Sequence, residues 1–127
     1  MSLRSPLGRA RGLGSAKSGT QHWWAQRLTA IALVPLVIWF VIAMVTATGG
    51  DHASALAFIG NPVSAVLLVL LIAATFHHAQ LGLQVVIEDY VHTKSVEIAL
   101  LLAVKGAAIV LAFSAIFAVL SIAFGGA

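Results

Sequence analysis

Residues 62–90 read PVSAVLLVLLIAATFHHAQLGLQVVIEDY, a 29-residue run in which no Asp, Glu, Lys or Arg occurs before Glu88. At 1.5 Å per residue a helix of that length covers ~44 Å, enough to cross the ~30 Å hydrocarbon core of a bilayer. The run is unusual for a span, because it holds His77, His78, Gln80 and Gln84 ahead of Glu88 and Asp89. Polar groups at membrane depth are costly and usually face protein or a cavity. Such a helix needs partners.

Upstream, the stretch free of Asp, Glu, Lys and Arg extends back to His52, 36 residues in all and longer than one span needs. Asn61-Pro62 divides it, since Asn is a good N-cap and Pro suits the first helical position. Ala53 to Ile59 then reads as a short interfacial helix, with Gly49-Gly50-Asp51 as the turn before it. Leu28 to Thr48 offers 21 uncharged positions, with Thr29, Pro35, Thr46 and Thr48 as mild exceptions. The apolar region of a signal peptide has about 7 to 15 residues, so this segment reads as a retained span. Downstream of a polar corner, Glu88 to Ser95, Ser95 is expected to cap a third helix reaching about Phe124, whose apolar run from Ile98 is interrupted by Lys105 alone. The fold class is therefore an all-α membrane protein with three spans, near 24–48, 62–90 and 95–124, in a unit covering 21–127. Residues 1–20 are rich in Gly, Ser and Arg without apolar period and read as a cytoplasmic tail.

Composition agrees. The 127 residues include seven Lys or Arg and four Asp or Glu, 9% charged against roughly 25% in soluble domains. With 61% hydrophobic residues and a mean hydropathy of +1.04, too few polar side chains remain to cover a globule, and a soluble domain is excluded. The absence of cysteine excludes disulfides, Cys-ligated zinc and iron–sulfur clusters held by this chain alone. A net charge of +3 does not indicate nucleic acid, because five of the seven basic residues (Arg4, Arg9, Arg11, Lys17 and Arg27) lie in the first 27 positions. Lys and Arg gather on the cytoplasmic side of short loops. The tail and Lys94 in the second connection carry them, whereas the Asp51-His52 connection and the ending Gly125-Gly126-Ala127 do not. The expected orientation has the N-terminus inside and the C-terminus outside. Trp23 and Trp24 suit an aromatic belt at the inner interface, and Lys105 is close enough to that side to snorkel.

Periodicity sorts the polar residues of the second helix. At about 100° per residue, Asp89 follows His78 by about 1100°, three turns and about 20°, so the two share a face. Gly82 and Val85 fall on the same stripe, while His77, Gln84 and Glu88 form another on which the residue one turn after His77 is Leu81. A membrane histidine one turn from a glycine is a candidate axial ligand for haem iron, the glycine admitting a flat ligand. The same histidine equally suits a hydrogen bond to a neighbouring helix through one ring nitrogen. A low-spin haem would need a second histidine from elsewhere, since His22 and His52 sit at the ends of helix one; this implies a partner subunit. At the inner end of helix two, the Tyr90 hydroxyl can donate to a quinone carbonyl and Asp89 can orient it or relay protons; a belt tyrosine and a hydrated carboxylate are the plain alternatives. Arg27 opens helix one at the same surface and can pair with a propionate or carboxylate, or serve only as a topology marker.

The string His78-Ala79-Gln80-Leu81-Gly82 followed by Gln84-Val85-Val86-Ile87-Glu88-Asp89-Tyr90 resembles the second helix of the smaller hydrophobic membrane-anchor subunit of succinate dehydrogenase, respiratory Complex II. That family has a His-x-x-x-Gly element followed by Asp-Tyr, with the Asp eleven residues after the His, as here. Arg27-Leu28-Thr29-Ala30 is similar to the start of that subunit's first helix.

The resemblance implies three transmembrane helices forming half of a haem-binding bundle, completed by a larger cytochrome b anchor subunit. His78 would be one of two axial haem b ligands, Tyr90 would hydrogen-bond ubiquinone, Asp89 would support that site, and Arg27 would lie near the haem propionates and quinone pocket. Flavoprotein and iron–sulfur subunits would deliver electrons from succinate to the quinone, at the cytoplasmic face of a bacterial inner membrane with the C-terminus periplasmic. His77 adjoins the matched ligand, and Lys105 matches no role implied. Rival readings are the anchor of a quinol:fumarate reductase, a haem-free proton-relay or helper protein using Glu88, Asp89 and His77, and a purely structural bundle subunit.

Overall fold

The structure, a computed structural model, describes residues 5–10 and 16–125. Arg4 and Arg11, used in the topology argument, and the final Gly126 and Ala127 lie outside the described residues. Five helices follow in order: α1 (Pro6–Ala10), α2 (Ala16–Thr46), α3 (His52–Gly60), α4 (Pro62–Tyr90) and α5 (Lys94–Gly125), with no strand among the described residues. Three segments, Gly19–Thr46, Pro62–Tyr90 and Lys94–Gly125, are long and apolar enough to cross a membrane.

The helix boundaries follow from local chemistry. Residues 6–10 and 16–20, read from composition as tail, are helical. Elongation costs little once a long apolar helix is nucleated, which accounts for α2 starting eight residues before position 24. Its C-terminus tightens into turns, Thr48 N–H bonding Val45 O at 3.3 Å and Gly50 N–H bonding Ala47 O at 3.0 Å. Gly49 stops it with φ +89°, a left-handed conformation that costs other residues more. Asp51 caps α3, its Oδ1 accepting from Ser54 N at 2.8 Å and Ser54 Oγ at 2.7 Å. Asn61 both ends α3 and begins α4, its Oδ1 accepting from Val63 N at 3.0 Å and Ser64 N at 3.3 Å, with Pro62 at the first helical position. Ser95 is not the cap of α5. The helix starts at Lys94, and Glu97 N–H bonds Thr93 O at 2.9 Å, so the first turn opens from Thr93 and Ser95 lies within it.

The chain runs back and forth, with α4 packed between α2 and α5, while α3 folds against α4 and α5 at one end. At that end Ala65, Leu68 and Val119 are buried, and Trp39, Phe40, Phe58 and Ile59 pack on them. Trp39 and Phe58 stack with centroids 5.9 Å apart. Elsewhere the faces are apolar and open: Val34 is 62% exposed and Phe117 73%. Apolar surface on this scale calls for lipid or other chains around the helices.

Candidate functional site

The site is built where the N-terminal half of α2 meets the C-terminal half of α4. On α2, His22, Gln26 and Thr29 stand at i, i+4 and i+7, one stripe of the helix, and each is partly buried. On α4, His78 and Gly82 are one turn apart and also partly buried. The antiparallel register puts Thr29 opposite His78, with Oγ1 3.0 Å from Nδ1. One turn further along each helix, Gln26 lies opposite Gly82: a Cβ placed on the glycine would meet only Gln26 Nε2, at 3.7 Å. Thr29 Oγ1 also lies 2.7 Å from Ala25 O and 3.0 Å from Gln26 O.

Two polar atoms in this seam are buried without a hydrogen-bond partner, His22 Nε2 and Gln26 Oε1. Each such atom costs roughly 1–3 kcal/mol while it stays unpaired. His78 Nε2 is not among these buried unpartnered atoms, and no hydrogen bond to it is found among the described residues. That nitrogen is therefore not sealed within the chain.

The two adjacent histidines differ in exposure and in bonding: His78 is partly buried and meets Thr29, whereas His77 makes no side-chain hydrogen bond among the described residues. His77 is exposed and lines two grooves, one toward α5 shared with Phe76, Gln80 and Lys105 and one toward α2 shared with Thr29, Ala32 and Leu36. Its stripe continues as a polar ladder in which Gln80 Nε2 donates to Gln84 Oε1 at 3.3 Å and Gln84 Nε2 donates to Glu88 Oε1 at 2.9 Å. Helix geometry assigned His78 and Gly82 to one face, and that face turns toward α2. The significance of Thr29, a mild exception in an apolar run when read alone, emerges only across the seam. A detectable signal was the spacing of His22, Gln26 and Thr29, which matches one helical stripe.

The remaining candidate residues do not converge on His78 within this chain. Arg27, one position after Gln26 and so on a different face, is exposed and lies over the Trp23 ring, its Cζ 4.8 Å from the centroid. Trp23 in turn meets Trp24 edge to face at 5.0 Å. Asp89 and Tyr90 are exposed at the end of α4, Tyr90 by 78%. Lys105 is exposed, eleven residues into α5 from Lys94. Lys94 itself pairs with Glu97 at 3.1 Å, a surface contact of small energetic weight. No group of three or more His, Cys, Asp or Glu gathers to hold a metal ion among the described residues. What the chain offers is one oriented histidine in a seam, plus exposed Asp89, Tyr90 and Arg27.

Residues 1–122 match the family described as succinate dehydrogenase/fumarate reductase transmembrane subunit. The succinate dehydrogenase hydrophobic membrane anchor subunit of Rickettsia bellii (strain RML369-C) is 35% identical over 103 residues, 81% of this chain and 82% of that protein. The subunit of the same description from Paracoccus denitrificans is 37% identical over 86 residues, 68% of this chain and 67% of its own length. With three apolar helices and a family match over nearly its whole length, the chain belongs to the succinate dehydrogenase/fumarate reductase transmembrane subunits, as a membrane anchor of the hydrophobic type.

Proposed function

We propose that this chain anchors a succinate:ubiquinone oxidoreductase in the bacterial inner membrane and supplies one axial ligand, His78, to a haem b shared with a larger cytochrome b anchor subunit. The observation that carries this reading is the state of His78: one ring nitrogen is engaged by α2, and the other is unbonded and open to approach. Gly82, one turn from His78, adds no side-chain bulk beside it, and only Gln26 Nε2 lies within reach of a Cβ there, at 3.7 Å, which suits the approach of a flat group. A bound haem supplies one-electron redox capacity. The chain's part is to hold the imidazole and to fasten the soluble subunits to the bilayer.

Asp89 and Tyr90 stand at the end of α4 that carries the same charge signature as the tail, which supports a cytoplasmic placement of the quinone site with the N-terminus inside and the C-terminus periplasmic. There the Tyr90 hydroxyl donates a hydrogen bond to a quinone carbonyl and Asp89 orients the site, while Arg27, beside Gln26 and so nearer the level of Gly82, pairs with a propionate or the quinone pocket. Electrons reach this pocket from succinate through flavoprotein and iron–sulfur subunits docked at the inner face. The family description also covers fumarate reductase, and the direction of reaction is set by potentials in those other subunits.

The test is the reduced optical spectrum of the purified complex carrying His78→Ala. Loss of the low-spin haem signal is expected; an unaltered signal removes the ligand assignment. A colourless preparation of the unaltered protein, free of flavoprotein and iron–sulfur partners, would favour a haem-free relay instead.

A further inference from the structure

The α2–α4 seam also decides which nitrogen of His78 carries the proton. Thr29 has one hydroxyl proton and can make one donation. Its Oγ1 lies within hydrogen-bond distance of three groups: Ala25 O at 2.7 Å, Gln26 O at 3.0 Å and His78 Nδ1 at 3.0 Å. The two backbone carbonyls can only accept, so the hydroxyl proton belongs to them, the shorter contact being to Ala25. Were the proton turned toward His78 instead, Oγ1 would face two carbonyl oxygens at these distances with lone pairs on both sides. Toward the imidazole, therefore, Thr29 accepts. A neutral ring that donates from Nδ1 has its lone pair on Nε2, the atom with no hydrogen bond among the described residues.

We propose that Thr29 is a positioning residue that holds His78 as its Nδ1–H tautomer, aims Nε2 at the haem iron, and lowers the potential of the bound haem. This rests on the reading of His78 as an axial ligand. A hydrogen bond given by the far nitrogen of a metal-bound imidazole fixes the ring's orientation and raises its basicity. A more basic ligand favours the ferric state over the ferrous one, and hydrogen bonding around axial ligands is one of the means by which proteins set haem potentials. Thr29 suits the task because its oxygen is itself held by the Ala25 carbonyl one helical turn back, so the acceptor does not swing. The contact spans 49 residues of sequence, so it also pins the register of α2 on α4.

The experiment compares Thr29→Val, which keeps the shape and removes the hydroxyl, with Thr29→Ser, which keeps the hydroxyl, in the intact complex, with His78→Ala alongside. The readouts are haem midpoint potential by redox titration and haem retained per complex. Loss of the hydrogen bond is expected to change the ferric-to-ferrous preference about tenfold, a rise of ~59 mV for a one-electron couple, with less haem retained, while Thr29→Ser stays near the unaltered protein. If Thr29→Val fails to assemble, the smaller Thr29→Ala carries the same expectation. An unchanged potential in the hydroxyl-free variant, with His78→Ala having lost its low-spin signal, overturns the role of Thr29 and leaves the ligand reading standing. A low-spin signal that survives His78→Ala overturns both. A shift in Thr29→Ser equal to that in Thr29→Val assigns the effect to packing and also overturns the role.

Discussion

The two ends of the helical bundle are finished to different degrees. At the α3 end, Asn61 serves two helices at once, Trp39 stacks on Phe58, and Ala65, Leu68 and Val119 are buried against their neighbours. At the opposite end, His22 Nε2 and Gln26 Oε1 are buried without partners, His78 Nε2 is unbonded, and Asp89 and Tyr90 stand exposed. One end satisfies its polar groups, whereas the other leaves several unpaired. In a membrane, apolar faces gain little from meeting one another rather than lipid, so packing shape and hydrogen bonds decide where helices associate. The unspent hydrogen-bonding capacity is therefore a better guide to where partners sit than the apolar exposure, which is spread over all three spans.

The contrast can be broken or sharpened experimentally. The largest effect belongs to the paired histidines: His78→Ala should abolish the low-spin haem signal, and His77→Ala, which alters exposed grooves on either side of α4 and no hydrogen bond, should keep it. The reverse result would move the ligand to His77. Next, Tyr90→Phe removes one hydroxyl donor at the exposed end of α4 and should lower quinone reductase turnover by roughly 10- to 100-fold, the equivalent of ~1–3 kcal/mol, while haem content stays constant; unchanged turnover would support a purely structural role for this end. Gly82→Ala is a finer probe. Within this chain the added methyl meets only Gln26 Nε2 at 3.7 Å, and the helix gains up to ~1 kcal/mol of intrinsic propensity. The anchor should therefore still insert and assemble, yet hold less haem; full haem content would show that the space beside Gly82 is not used.

The smallest effect belongs to the finished end. The Ser54 hydroxyl, with the Ser54 N–H second, holds the Asp51 carboxyl below its ordinary value, against a slight opposing effect of burial. Because the folded-state value is depressed, the cap's contribution is present above the ordinary aspartate range and is lost as pH falls through the lowered value. Ser54→Ala should move the Asp51 titration measured by NMR upward, toward the ordinary value, and leave haem and quinone readouts alone.

Most of the fold was legible in the residues, because each element boundary has a local cause. The Asn61-Pro62 division, the glycine turn at 49–50 and the three apolar runs are short-range chemistry. One misplacement has a physical origin. The Ser95 cap was judged from residue type, whereas helix ends depend on which backbone groups find partners, as Glu97 N–H does at Thr93 O. The site was legible in part. Residue spacing separated His78 from His77 and joined it to Gly82, because both residues belong to one helix of known pitch.

By itself the sequence determined that this chain lives in a membrane, crosses it three times, and carries a histidine, a glycine and an Asp-Tyr pair on one helix. Charge scarcity, hydropathy and helical period are properties of neighbours along the chain, so no tertiary information was needed for them. Only the tertiary structure decided what His78 faces. Thr29 and His78 meet through the register in which α2 lies on α4, and that register is set by packing and a cross-helix hydrogen bond rather than by any local pattern. The choice of ring nitrogen depends on where one hydroxyl proton goes, and three atoms from two helices must be in place before that has an answer.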